Sequence, residues 1–281
     1  MPSILLFDFF DFFDFYFNFS QKSEKKLFGG IDFFRGKDDF GFIMITDSDY
    51  NFTSPAGREY IIAAARFAAV NPSSRVLDLG CGSGAGVAAI AKEFRCKVLS
   101  TDTRRGFAQE TRALCEKEGV SHLVTVEDSD AFETNHAENP FDLIIAEGGF
   151  LSPVMRKTFF EKLPGWLRPR GWLAFADKVY TTAQIPSPVW QAYGEPKKQT
   201  LSEEAYREMV RDAGLDLQYA GLAPPSAWDN YYGHMAKRIT ESKGYFGSAA
   251  VKSTLHNEIG LFYRMDCFKY VGYLFCICRG K

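Results

Sequence analysis

The 281-residue chain reads as an α/β protein built on a doubly wound, largely parallel sheet. Three features point to it. Arg75-Val76-Leu77-Asp78-Leu79 favours extended backbone and runs straight into a glycine-studded turn, Gly80-Cys81-Gly82-Ser83-Gly84, followed by an alanine-rich helical pattern to Phe94. That is the strand, tight turn and helix that open a βαβ unit. Strand-like and helical segments then alternate over residues 54–222, as crossover connections between parallel strands require. Finally, Phe141 to Ala146 is apolar apart from Asp142, the pattern of a strand covered on both faces.

Taken in order, Ser54-Pro55 reads as an N-cap with proline at the first helical position. The helix covers Ala56 to Val70 and ends at Asn71-Pro72. Strand 75–79 follows, then Lys97 to Thr101, closed by Asp102. A helix from about Arg105 to Glu118 stops at Gly119. Leu123 to Glu127 and Phe141 to Ala146 are the next strands, and Pro153 to Leu167 is mostly helical, broken at Pro164-Gly165. Leu167 to Gly171 reads as a turn into strand 172–176. Ser202 caps a helix with Glu203 and Glu204 in its first turn and Leu201 and Tyr206 placed as a hydrophobic staple. Residues 216–222 and Phe268 to Cys278 are the closing strands, separated by an insertion that is helical over about 226–242 and 247–262.

Composition excludes several classes. The net charge is −2, and the basic pairs Lys25-Lys26, Arg104-Arg105 and Lys197-Lys198 are short and scattered. They make no track for a nucleic-acid backbone. The six cysteines contain no C-x-x-C pair, so neither a zinc site nor a disulfide framework is expected, and the chain reads as reduced and cytoplasmic. Cys276 and Cys278 alternate on one strand face and read as core. Of four histidines, His122 and His136 are expected in solvent. Residues 1–43 hold thirteen of the 27 phenylalanines. Aspartates interrupt each apolar run, so this is neither a membrane span nor a signal peptide. It reads as a low-complexity extension before a domain over 44–281, the functional alternative being a lid or a homodimer arm.

The glycine turn leaves helix N–H groups free for an anionic or polar ligand group. The spacing Gly80-x-Gly82-x-x-Ala85 also permits a dinucleotide fingerprint, but Asp78 places a carboxylate where a ligand ammonium can use it and a pyrophosphate cannot. With Asp78-x-Gly80-x-Gly82-x-Gly84, the acid Asp102 ending the second strand, Asp130-Ala131, Phe141 to Gly149 and the Leu167 to Gly171 turn, the chain resembles the class I S-adenosylmethionine (SAM)-dependent methyltransferases over about residues 54–222 and the last strand. Glu147-Gly148-Gly149, Ser226 to Tyr232, Ser54-Pro55-Ala56-Gly57 and the Tyr-Val-Gly-Tyr-Leu-Phe ending resemble bacterial and archaeal small-molecule members.

The resemblance implies a seven-stranded Rossmann-like sheet whose last strand is antiparallel, with a helical lid over about 225–265. It implies SAM as cofactor, S-adenosylhomocysteine as product and a small-molecule acceptor at N, O or S, with no metal, nucleic acid or membrane. It also implies cofactor contacts from Asp78, Gly80, Cys81, Gly82, Gly84, Asp102, Thr103, Asp130, Ala131 and Glu147. The Asp102 carboxylate suits the two ribose hydroxyls. Methyl transfer is an in-line displacement that needs alignment and, for a protonated nucleophile, a proton acceptor. Glu147, Tyr232 and His234 are the candidates for that chemistry, and Tyr50, Ser54, Trp228 and Tyr231 for the acceptor wall. Aromatics there can also meet the sulfonium by cation–π contact. A nucleic-acid methyltransferase is disfavoured because Ala146-Glu147-Gly148-Gly149-Phe150 lacks the Asn/Asp-Pro-Pro-aromatic motif of DNA amino methylation, and no cysteine nucleophile lies nearby. A non-catalytic SAM-binding scaffold and an NAD-dependent oxidoreductase stay as further alternatives.

Overall fold

A computed structural model describes residues 32–33, 44–45, 54–55, 57–133, 136–148, 153–193, 200–241 and 248–281, all within the unit Asp32–Lys281. The expected Phe-rich extension, Tyr50 and Lys197-Lys198 lie outside the described residues, except that β1 (Asp32–Phe33) pairs antiparallel with β2 (Met44–Ile45).

The helices α1 (Gly57–Phe67), α2 (Ala85–Phe94) and α3 (Arg105–Lys117) alternate with β3 (Arg75–Leu79), β4 (Lys97–Thr101) and β5 (Val124–Glu127). The second half contains β6 (Phe141–Glu147), α4 (Pro153–Trp166), β7 (Leu167–Tyr180), α5 (Ser187–Tyr193), β8 (Leu201–Ser202), α6 (Glu203–Asp212) and β9 (Asp216–Leu222). The insertion forms α7 (Pro225–Glu241) and α8 (Ala249–Arg264), and β10 (Val271–Arg279) closes the chain.

The main sheet has the order β5-β4-β3-β6-β7-β10-β9, with β8 added beside β7. β5, β4, β3, β6 and β7 run parallel, and β10 is antiparallel to both β7 and β9. The chain winds outward from β3 to β5 and then returns to β6 on the other side. That reversal between β3 and β6 opens a crevice at their carboxyl ends, where α/β sheets place ligands.

Sequence periodicity explains the layers. Leu274, Cys276 and Cys278 face the core formed with Phe159, Phe160 and Tyr206, and both cysteines are buried as expected. The alternate residues Tyr273 and Phe275 face α1, where Tyr60 stacks on Phe275 at 4.5 Å. The Tyr60 hydroxyl donates within 2.8 Å of Phe175 O and 2.9 Å of Cys276 O, pinning α1 across two strands. Ser202 caps α6 by accepting from Ala205 N at 3.2 Å, and Tyr206 is fully buried beneath it. Its hydroxyl donates to Asp177, which also receives Arg156 Nη2 at 3.1 Å in a nearly dry ion pair.

Several expectations need correction. Ser54 does not cap α1, which starts at Gly57; its hydroxyl turns to Glu147 instead. α4 continues through Pro164 to Trp166, because a proline so near the end deletes one hydrogen bond without displacing buried Leu163 and Trp166. Leu167 already pairs with Phe141 and Trp172 with Leu143, so β7 starts before the Arg168–Gly171 turn, which loops out as a bulge with Arg170 at φ 61°. The stretch from Phe268 is a short 3-10 turn, Cys267–Lys269, before β10. His136 is buried rather than solvated. Its ring lies edge-on to Trp166 at 4.9 Å and its Nε2 is 3.0 Å from Ala131 O, while burial lowers its pKa.

Candidate cofactor and acceptor site

The glycine turn after β3 is built for close approach. Gly80, Gly82 and Gly84 all have positive φ (85°, 51° and 80°). A Cβ at Gly84 would lie 2.7 Å from Thr111 Cα on α3. Gly80 N and Cys81 N both donate to Thr101 O at 2.9 Å, which ties the turn to the end of β4. Gly84 serves as N-cap of α2 without a side-chain hydrogen bond, so the first N–H groups of that helix receive none from the capping residue.

Two acids flank the turn. Asp102 Oδ2 accepts from Gly82 N at 3.1 Å and Oδ1 from Arg104 N at 2.8 Å. Arg104 Nε also reaches Oδ1 at 3.3 Å, so Oδ2 keeps the further lone pair and a ribose hydroxyl at Oδ1 would displace the weak Arg104 side-chain contact. Asp78 is buried on β3 and accepts from Ser100 Oγ at 2.9 Å. Burial, opposed by that hydrogen bond and reinforced by Asp102, pushes its carboxyl up to about 7. A buried acid held partly neutral in this way gains from a ligand cation beside it.

Glu147 ends β6 on the same sheet face as Asp78, since Asp78 pairs with Ile145 in the parallel ladder. Its pKa is pushed to about 8, first by burial and further by Asp78, against the Ser54 hydroxyl that donates to it. Tyr273 reaches the same place from β10. A Cβ on Gly148 (φ 68°) would collide with the Tyr273 hydroxyl and come within 3.2 Å of Ser54 Cβ. Glycine at 148 therefore lets the phenol pass the main chain. The Tyr273 side chain is 1% exposed, and its hydroxyl lies beside Ser54, with which it shares a hydrogen bond.

The insertion crosses above these groups. Trp228 on α7 lies edge-on to Tyr273 at 5.9 Å, and further along α7 Met235 and Ile239 pack on Phe107 of α3. Arg238 pairs with Glu110 at that far end. From Trp228 to Ile239 the helix rises about 17 Å, close to the roughly 19 Å across four strand spacings from β10 to β4. Thus α7 spans the carboxyl ends of β7, β6 and β3 between its two anchors.

The chain has relatives of similar sequence and fold. Residues 76–171 match the methyltransferase-domain family. A SAM-dependent methyltransferase from Geobacter sulfurreducens, solved with S-adenosyl-L-homocysteine, superposes with TM-score 0.68 at 18% identity, covering 83% of this chain and 95% of that one. The fold is therefore that of the class I methyltransferases.

Two relatives bear on the domain's chemistry. It is 29% identical over 197 residues to the glycine/sarcosine/dimethylglycine N-methyltransferase of Actinopolyspora halophila, covering 68% of this chain and 35% of that protein. It is 28% identical over 166 residues to phosphoethanolamine N-methyltransferase 3 of Arabidopsis thaliana, covering 59% and 33%. The chain thus spans about a third of the length of these relatives.

Within the methyltransferase domain the sequence-derived residues fall into three groups. Asp78, Gly80, Gly82, Gly84 and Asp102 meet around the turn after β3. Cys81 lies among them, but burial pushes its thiol to about 12, so it is inert packing. Thr103 is exposed just past Asp102, Asp130 Oδ1 accepts from Phe132 N at 2.9 Å, and Ala131 is buried.

Glu147, Ser54 and Tyr231 form the second group. Tyr231, partly buried on α7 against Trp228 and Tyr232, lies near enough to Tyr273 to help raise that phenol's pKa. In the third group, Trp228 and Tyr232 belong to a buried aromatic cluster with Phe262. The Tyr232 hydroxyl is engaged, 3.0 Å from both Tyr193 Oη and Glu258 Oε1, so it is occupied as a structural bridge. His234 is half-buried on α7.

Tyr273 is the site residue that sequence reasoning missed. It sits in an alternating strand whose other members are core, so periodicity alone assigns it to packing. Among the described residues no cluster of three or more His, Cys, Asp or Glu is arranged to hold a metal ion, and no helix is long and apolar enough to cross a membrane.

Proposed function

We propose that this domain transfers a methyl group from SAM to N, O or S of a small-molecule acceptor. The observation that carries the reading is the convergence of Asp78, Asp102 and Glu147 at the carboxyl ends of three neighbouring strands beneath α7. SAM supplies an electrophilic methyl carbon on a sulfonium. Asp102, whose Arg104 Nε contact is exposed and weak, would hold the ribose hydroxyls on its two oxygens. The N–H groups at the α2 terminus and the Asp78 carboxyl would hold the carboxylate and ammonium of the methionyl part. The segment 131–132 lies next along the crevice for the adenine. Fit is supported by the glycine turn, where a Cβ at Gly84 would strike Thr111, and by the buried Asp78 carboxyl.

The protein's part is positioning and exclusion of water. The α7 helix, held at Tyr273 and Phe107, covers the crevice, while Glu147 is the acid nearest the acceptor side. Small-molecule acceptors are favoured by the relatives named above and by a net charge of −2, which offers no attraction to a polyphosphate chain. The six free, buried cysteines support a cytoplasmic setting.

Calorimetric titration of SAM and S-adenosylhomocysteine into wild-type protein and Asp102→Ala tests this reading. Micromolar binding by the wild type, weakened at least a hundredfold in the variant, is expected. Absence of binding to folded wild type overturns the reading.

A further inference from the structure

The groups on the acceptor side of the crevice define a narrower chemistry than general methyl transfer requires. Glu147, Ser54 and Tyr273 come from three separate parts of the chain: the end of β6, the approach to α1 and the first turn of β10. Gly148 removes the one Cβ that would keep the Tyr273 phenol from the carboxyl. The Tyr273 hydroxyl is almost fully buried beside Ser54, which hydrogen-bonds both to it and to Glu147, so the carboxyl, the serine and the phenol form one polar cluster. With its proton directed to Ser54, the phenol oxygen keeps lone pairs that a ligand N–H can use.

Resting on the methyl-transfer reading, we propose that Glu147 and Tyr273 form the amine subsite of the acceptor, taking a primary or secondary amine as its ammonium ion. An ammonium brings what this corner lacks. Its positive charge sits against the carboxylate, and a second N–H donates to the phenol oxygen. The groups facing Glu147 are Asp78 from β3, Tyr60 from α1, Ser54 and Tyr273 from β10. Asp78 adds a repelling charge when ionised, and the others are neutral, so no protein cation competes with the ammonium there among these groups.

The same geometry readies the amine for reaction. The ammonium is not nucleophilic until it loses a proton. That proton passes from nitrogen to Glu147 Oε, leaving a neutral amine and a neutral carboxyl. The remaining N–H on Tyr273 Oη holds the nitrogen while rotation about its C–N bond turns the lone pair to the sulfonium methyl. The new N–CH3 bond forms as the S–CH3 bond breaks, and its electron pair goes to sulfur. The products are S-adenosylhomocysteine and a methylated ammonium ion, with the Glu147 proton passing to solvent when product leaves. The buried setting of Glu147 favours the neutral carboxyl that this transfer forms.

The test is calorimetry with benzylammonium chloride and, as neutral comparator, benzyl alcohol, titrated into protein saturated with S-adenosylhomocysteine. Runs in two buffers of different ionisation enthalpy count the protons released. Wild type is expected to bind benzylammonium at least tenfold more tightly than benzyl alcohol. About one proton should be released per site near pH 7 and almost none near pH 9, because the ligand ionises a carboxyl that is mostly protonated at the lower pH. Glu147→Gln should abolish the proton release and weaken the cation about tenfold or more, and Tyr273→Phe should weaken it with proton release retained. Both variants should bind S-adenosylhomocysteine within threefold of wild type.

Equal affinity for the two probes, or proton release that survives Glu147→Gln, overturns the proposal. A loss of S-adenosylhomocysteine affinity in folded Glu147→Gln also overturns it, since the acid would then serve the cofactor. If wild type fails to bind S-adenosylhomocysteine at all, the methyl-transfer reading falls first and is distinguished by that.

Discussion

Replacing Glu147 by glutamine should make the ligand-free protein more stable at neutral and alkaline pH, although it removes a group from the proposed acceptor site. The glutamate carboxyl is raised from its ordinary 4.5 to about 8 in the fold. Between those values the folded chain keeps a proton that the unfolded chain has released. Stability is therefore highest below about pH 4.5, falls as pH rises, and levels off above about pH 8. Each unit corresponds to 1.36 kcal/mol. At pH 7 the gap of about 2.5 units sets a ceiling near 3 kcal/mol, and at pH 8.5 about 3.5 units set one near 5 kcal/mol. Partial exposure of the side chain lowers the expected gain to roughly 1–3 kcal/mol. Glutamine keeps an acceptor for the Ser54 hydroxyl and has nearly the same volume, so packing changes little. Urea unfolding of both proteins at pH 4.5, 7 and 8.5 measures the difference. The curves should coincide in acid and separate in base, with the variant more stable. Parallel curves at all three values, or a variant less stable at pH 8.5, refute the reasoning. Asp78, raised from 3.8 to about 7 by burial, acts in the same direction over a lower window and leaves a residual slope in the variant.

Other substitutions probe the frame. Gly84→Ala places a side chain at φ 80° and 2.7 Å from Thr111 Cα. It should cost about 2–4 kcal/mol and reduce S-adenosylhomocysteine affinity, and an unchanged Tm would contradict the close approach. Arg156→Met leaves Asp177 buried without its ion-pair partner and should cost about 3–5 kcal/mol, most of it recovered when Asp177→Leu is added. Denaturant melts of both decide whether the pair is as dry as its 4% and 7% side-chain exposures imply. Tyr232→Phe removes the hydroxyl between Tyr193 and Glu258 and should cost about 1–2 kcal/mol. A large loss of turnover at unchanged stability would instead restore the catalytic role expected from sequence.

The parallel half of the sheet is legible in the sequence because its signals are local. A β-favouring run, a glycine turn and an alanine-rich helix declare β3 and α2 without reference to anything distant, and the acids at Asp78 and Asp102 follow from that register. Residues whose roles depend on partners far along the chain are harder to read. Ser54 has the local form of a cap, but its hydroxyl finds Glu147, 93 residues away. His136 sits among polar neighbours, yet Trp166 and Phe141 close over its ring. Tyr232 has the look of a proton acceptor in an aromatic run until Tyr193 and Glu258 claim its hydroxyl, and Tyr193 lies on a short helix that no periodic pattern marks. Tyr273 is hidden for the opposite reason. Its strand alternates so regularly that a functional phenol and a packing phenol look alike, and only the missing Cβ of Gly148 separates them.

The pairing of β9 with β10 carries a consequence for the segment between them. Leu222 and Leu274 are directly opposed across the ladder, and Ala223 N donates to Tyr273 O at 2.8 Å beside them. The chain therefore leaves the sheet and re-enters it at almost the same point. Because the cost of closing a loop rises only with the logarithm of its length, whatever is hung between those two points is nearly uncoupled from the stability of the strands below. The loop-closure cost of the α7–α8 segment is small, so what holds it over the sheet is its packing, Trp228 on Tyr273 and Met235 and Ile239 on Phe107. A longer or shorter connection between those two points would therefore leave the glycine turn and its two acids untouched.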